Sequence, residues 1–205
     1  MRIRDGWLGR QLRRFVRSND GAAALEFALV LPPLCIILVG MFEMSILMFT
    51  QASMEGALRE AARFGMTGSV SDPAQRQTQI LAIIDKDTFG FVPKTKATIS
   101  FLIYPSFGDV NQPEPFTDKN GNGTYEAGID QFTASQDING NGVWDGDQGK
   151  AGVGASAQIV QYTVQYDWHV ITPFMAPIFG NNGKVHLKAS IVLRNEPWDA
   201  TTSSS

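Results

Sequence analysis

The chain has 205 residues, a formal net charge of −3 and a single cysteine, Cys35. That length allows one ordinary domain plus an appendage, the charge gives no electrostatic support for binding nucleic acid, and one cysteine excludes an intrachain disulfide. The charge is nonetheless polarised: Arg2, Arg4, Arg10, Arg13, Arg14 and Arg17 crowd the first twenty residues against Asp5 and Asp20, while Gly108 to Gly149 is acidic and rich in glycine and asparagine.

From Ala22 to Phe42 only Glu26 is charged. As a helix this run reaches about 31 Å, one hydrocarbon thickness. Pro32 and Pro33 would kink a soluble helix but are tolerated in a membrane helix. Arginines before the run and none just after it orient the segment with its N-terminus in the cytoplasm. A carboxylate at the edge of hydrocarbon costs on the order of a few kcal/mol, so Glu26 needs a reason. A secretory signal peptide would have a shorter apolar core and a small-x-small cleavage site at its far end, where this chain has "GMFEMSILMFT". A plain anchor explains length and orientation, and leaves Glu26 to snorkel to the cytoplasmic headgroups. A third reading places a cut before the run and keeps the helix.

The helical pattern continues past Phe42, with Leu47, Met54, Leu58, Ala61 and Gly65 on one stripe and Glu55 four residues before Arg59. One helix from Ala22 to about Phe64 is expected, its outer half packed on a globular head and Glu43 at the outer membrane interface. "GMTGSVSDP" breaks it. Asp72 then serves as N-cap and Pro73 as first residue of a second helix, to about Lys86.

Three strands follow. Ala97, Ile99, Phe101 and Ile103 share one face of "KATISFLIY". In "AQIVQYTVQYDWHV" Val160, Tyr162, Val164, Tyr166, Trp168 and Val170 face one way, opposite Gln161, Thr163, Gln165, Asp167 and His169. In "KVHLKASIVLR" Val185, Leu187, Ala189, Ile191 and Leu193 point inward, so His169 and His186 read as solvated sheet positions. The link "ITPFMAPIFGNNG" is a loop followed by a turn. Three antiparallel strands with helices on one side make an α+β head.

Between the first two strands, residues 108–150 contain a near-repeat: "DKNGNGTYEAGID" from Asp118 and "DINGNGVWDGDQG" from Asp137. Side-chain oxygens at positions one, three and five, glycine at six and a carbonyl at seven make the calcium-loop pattern. The candidate ligands are Asp118, Asn120, Asn122, the Thr124 carbonyl and Glu126 in the first loop. In the second they are Asp137, Asn139, Asn141, the Val143 carbonyl and Asp145. Position twelve holds Ile129 and Gln148 in place of a glutamate, and the neighbouring Asp130 and Asp147 are the substitutes. Tyr125 and Trp144 would be hydrophobic pins at position eight. Without helical flanks, the loops resemble the helix-poor calcium loops of dockerin-like and thrombospondin-like extracellular repeats. The competing reading is two Asn-Gly turns with incidental carboxylates. One or two weakly held calcium ions are expected, because four of the six side-chain donors at positions one, three and five are neutral asparagines.

"NDG" followed by "AAALEF" resembles a prepilin peptidase site, with Gly21 before the cut, Ala22 as the new N-terminus and Glu26 at the fifth mature position. Glu26-Phe27 resembles the glutamate-aromatic pair of the Flp and Tad branch of type IVb pilins. "GAAALEFALVLPPL", "GMFEM" and the C-terminal "LKASIVLRNEPW" are similar to the TadE-like family of pilus assembly proteins. The resemblance implies that Glu26 pairs with the free N-terminal amine of a neighbouring subunit, since opposite charges cost less in lipid together than apart. It implies a minor pilin or pseudopilin, because major Flp pilins are much shorter. The implied partners are other pilins, the inner-membrane Tad assembly machinery, the prepilin peptidase and membrane lipid, with no nucleic acid.

The resulting layout is a basic leader, 1–21; a membrane and pilin-type helix, 22–66; a periplasmic or extracellular head, 67–200; and a disordered tail, 201–205. The head sits on the periplasmic side of a bacterial inner membrane, or on the cell surface once in a pilus. A calcium-dependent adhesion module on an uncleaved anchor is the alternative. No Ser-His-Asp, Cys-His or phosphate-loop spacing is present in the sequence, so no enzymatic activity is expected.

Overall fold

A computed structural model describes residues 20–67, 70, 72–179 and 181–197. Most of the basic leader, 1–19, and the tail, 201–205, lie outside the described residues. The first element, α1, is one helix over Asp20–Met66, with Pro32 and Pro33 inside it. It is long and apolar enough to cross a membrane, and the protein buries none of its apolar window. Its outer half is different: Met54, Leu58 and Ala61 are fully buried against the head. Burial of that kind stabilises the docking by about 1.5–3 kcal/mol for each large side chain.

The second helix, α2, is Pro73–Asp87, with Asp72 accepting the Ala74 N–H at 3.0 Å and proline in the first turn. The N-cap and proline expected from the sequence are both in place. Ile80 and Ile84 of α2 join the helix stripe in the core. Strands β1 (Thr98–Tyr104), β2 (Lys150–Ala151), β3 (Ile159–His169) and β4 (Lys184–Arg194) form an antiparallel sheet in the order β2-β1-β3-β4. The three long strands fall where the alternation places them, and the insertion adds the two-residue edge strand β2.

The alternation also sets the core. Ile99, Phe101, Val160, Tyr162, Val164, Trp168, Leu187 and Ala189 are buried on the helix-facing side. Tyr162 takes the centre, meeting Phe101 edge-on with ring centroids 4.9 Å apart. His169 and His186 are exposed on the opposite face, as expected, and His186 Nδ1 lies 2.7 Å from Asp167 Oδ1. That face is not wholly solvated, however. Gln161 and Thr163 are buried, and Gln161 lies under the insertion, within 2.9 Å of the Tyr104 hydroxyl. Glu55, expected to pair with Arg59, instead accepts from Gln51 Nε2 at 2.9 Å.

Two contacts define the ends of the head. The Glu196 N–H donates to the Met66 carbonyl at 3.1 Å, at the far end of α1. At the other end the Ile171 N–H and Thr172 hydroxyl donate to the Glu43 carboxylate, just above the apolar run. Strand β3 therefore runs toward the end beside the apolar half of α1, and β4 returns. The insertion leaves β1 after Tyr104 and rejoins at Ile159, whose partners are Tyr104 and Arg194. It caps the pole farthest from the apolar half of α1.

Candidate functional site

The assembly candidates lie on the bare half of α1. Gly21, Ala22, Glu26 and Phe27 are all exposed in helix, and a Cβ at Gly21 would meet nothing within 4 Å. The five-residue offset from Gly21 to Glu26 is one and a half helical turns, so the carboxylate lies within the first turns after the expected cut. Among the described residues Glu26 is exposed, outside the part of α1 that packs on the head.

The two loops at the far pole share one design. In the first, Asp118 accepts the N–H groups of Gly121 and Gly123 at 2.7 and 2.8 Å, Asn120 Oδ1 accepts that of Asn122 and Asn122 Oδ1 that of Thr124. In the second, Asp137 accepts from Gly140 and Gly142 at 2.7 and 2.8 Å, Asn139 from Asn141, and Asn141 from Val143. Both glycines in each loop have φ between 73° and 82°, which a side chain would strain. The Asp118 carboxyl is held below the usual carboxylate range, chiefly by the Gly123 N–H.

At position nine the acids take the asparagine amides. Asn120 Nδ2 donates to Glu126 at 2.6 Å, and Asn139 Nδ2 and Asn141 Nδ2 both donate to Asp145, at 2.8 and 2.5 Å. Asp130 braces the first loop from below, accepting the Lys119 and Glu126 N–H groups at 2.9 and 2.8 Å. Glu114, 1% exposed, does the same for the second: it accepts from Ile138, Asn139 and Asp145 at 2.9 to 3.1 Å. Glu114 is thus a buried brace. Nothing in the spacing links it to a loop that starts twenty-three residues later.

Asp147 is held apart from this pattern, with both oxygens 2.9 Å from the Tyr104 hydroxyl. Burial first, then the bond and charge of Asp147, push that hydroxyl above the ordinary phenol range. Asn139, Asn141, Asp145 and Asp147 line one open cleft of ≈ 410 Å³ with Leu102 and Lys150. Among the described residues, no three His, Cys, Asp or Glu side chains converge as a metal centre. Within each loop the position-one carboxylate and the two amide oxygens accept backbone N–H groups, while the position-nine acid accepts from asparagine Nδ2.

The position-eight aromatics pack on each other. Tyr125 and Trp144 stack with centroids 4.6 Å apart, and Phe116 meets both edge-on. Phe132 adds a further contact to Tyr125. No periodicity in residues 108–150 marks a core of their own. This cluster is such a core, assembled from residues too far apart for any period to report them.

The family model of TadE-like proteins matches residues 21–63, which are α1 almost from end to end. This agrees with the resemblance carried by "GAAALEFALVLPPL" and "GMFEM". No curated protein and no solved structure matches the chain.

Proposed function

We propose that the protein is a minor pilin or pseudopilin of a Tad-type pilus and secretion system, cut after Gly21 and joined to a filament through α1. One observation carries this reading: the helix that matches TadE-like proteins is continuous, bare along its apolar half and fused through its outer half to the head. Such a helix can stand in a bilayer or in a helical filament core without the head changing shape. Glu26 on the bare half is the register device, pairing with the amine of Ala22 on a neighbouring subunit. The family suggests a structural component that meets other pilins and the Tad machinery, so the role is assembly and not catalysis.

The head presents the loop lobe at the pole farthest from the membrane, the place from which a surface ligand would be met. Calcium at Asp118, Asn120, Asn122, Thr124 and Glu126, with the matching set from Asp137 to Asp145, would stiffen that lobe. The donors fit a weak site: each loop offers two acids and two amides, and its shape already holds through N–H donors.

The test is the mature N-terminus. Mass spectrometry of the membrane-derived protein is expected to find Ala22 first, and the protein is expected to co-fractionate with filaments. Recovery of the intact leader in assembled material would defeat the processing assignment.

A further inference from the structure

The loop between β3 and β4 shows an apolar surface at a specific height. From Val170 to Phe179 it has no charged residue. Ile171, Phe174 and Ile178 are 60%, 55% and 65% exposed, although each is large and apolar. Meanwhile Met175 points inward, fully buried, and its Cε would lie 3.0 Å from a Cβ at Gly40. Gly40 belongs to the apolar run. The loop thus reaches down α1 past Glu43 and lies beside helix that is itself apolar and uncovered.

Glu43 fastens it there. Its carboxylate is 2% exposed and accepts the Ile171 N–H and, at 2.9 Å, the Thr172 hydroxyl. The sequence puts Glu43 at the outer interface, and the loop covers it there. A buried carboxylate with two donors is far cheaper beside lipid than a bare one. A second apolar feature stands on the same end of the head. In the turn after α2, Phe89 and Phe91 pack on Phe49, with centroids 6.4 and 5.9 Å away, and all three rings are exposed. Phe49 is about 9 Å above Glu43 along the helix, the height of headgroups if the run ends at Phe42.

We infer that the 171–178 loop dips into the outer leaflet of the bilayer, with the Phe49, Phe89 and Phe91 rings resting among the headgroups. The inference rests on α1 being in lipid, as proposed above. The occupant is lipid because the patch lies beside the uncovered apolar surface of α1, where Met175 meets Gly40. Aromatic and aliphatic side chains at that depth are favoured by burial and by the interface itself. Two contacts beside one helix would also fix the tilt of the head, and so the direction in which the loop lobe faces.

The experiment uses the full chain in vesicles of phosphatidylethanolamine and phosphatidylglycerol. A spin label is placed at Phe174→Cys or, separately, at Ile178→Cys, each in a Cys35→Ser background. Collisions with oxygen, which concentrates in hydrocarbon, are compared with collisions with a neutral nickel chelate, which stays in water. A label on native Cys35 reports α1, and one at Val143→Cys in the same background reports the exposed far pole. The expected result is an oxygen preference at 174 and 178 several-fold above that at 143 and approaching that at Cys35. Nickel access at 174 and 178 with lipid-like behaviour at Cys35 would sink the inference and leave α1 in the membrane. Shielding from both reagents would also sink it, in favour of a second copy covering the patch. Nickel access at Cys35 would remove the membrane reading itself, and this inference with it.

Discussion

Tyr125 and Trp144 hold the same position in two loops nineteen residues apart, and they stack with ring planes 22° from parallel. The repeat is thus folded onto itself, each loop supplying one ring of the central stack. Trp144 also donates its indole N–H to the Glu114 carbonyl at 2.8 Å, which ties that core to the brace of the second loop.

Trp144→Ala should therefore loosen both loops. Losing the stack forfeits about 0.5–1.5 kcal/mol beyond burial, and losing the indole bond roughly 1 more. Trp144→Phe should cost only about 1 kcal/mol, because the ring remains. Near-ultraviolet dichroism through a thermal melt of the detergent-solubilised chain reads both. An alanine variant that melts like the wild type would mean that the hydrogen-bonded braces hold the lobe alone.

Much of this fold was legible from residue patterns, for identifiable reasons. The period of two in "IVQYTVQYDWH" survives because one face is packed against helices, and the Asp72-Pro73 start is a local signal read by local chemistry. What escaped depends on contacts distant in sequence. Glu114 reaches the second loop across 24 to 31 residues, and Glu43 meets Thr172 across 129. Neither has a spacing to betray it. Gln161, on the face opposite the apolar stripe, is buried as well, because alternation reports which side a residue faces, not what an insertion later lays over it. The boundary at residue 66 marks a change of element, but the core does not divide there: Met54 and Leu58 belong to it.

Glu26→Gln tests the assembly role. The substitution removes the charge and keeps the shape, so membrane insertion should be unchanged or improved while recovery in filaments falls. Quantifying the protein in sheared filaments against that in membranes gives the ratio. Wild-type incorporation would transfer the explanation of Glu26 to snorkelling.

Acid should open the first loop before the sheet. The Asp118 carboxyl is held below its ordinary range by the Gly123 N–H above all, so the folded state favours the ionised form. That contribution is complete above the unfolded-state value and is lost as pH falls through the lower, folded one. Amide exchange at Gly121 and Gly123 should accelerate in that window, while Val164 and Ala189 in the sheet stay protected. Simultaneous loss at all four sites would show global unfolding and sink the local account.

Calcium is the last expectation, and the asparagines decide it. If the loops are ion sites, Asp118→Ala and Asp137→Ala should each remove about one bound ion, since each deletes the charged first ligand. At about 100 dissociation constants of calcium the stabilisation would be roughly 2.7 kcal/mol. Asn141→Asp separates this from two hydrogen-bonded turns. In calcium-free buffer it replaces the amide bond to Asp145, 2.5 Å long, with repulsion between two carboxylates, and the lobe should melt earlier. With calcium present the added charge should tighten binding and restore the melting point to or above that of the wild type. Calorimetric titration of the full chain in detergent, with parallel melts in chelator and in calcium, reads both effects. A variant destabilised equally in both, with no heat of binding in the wild type, would leave the repeat as a pair of Asx-braced turns stacked through Tyr125 and Trp144.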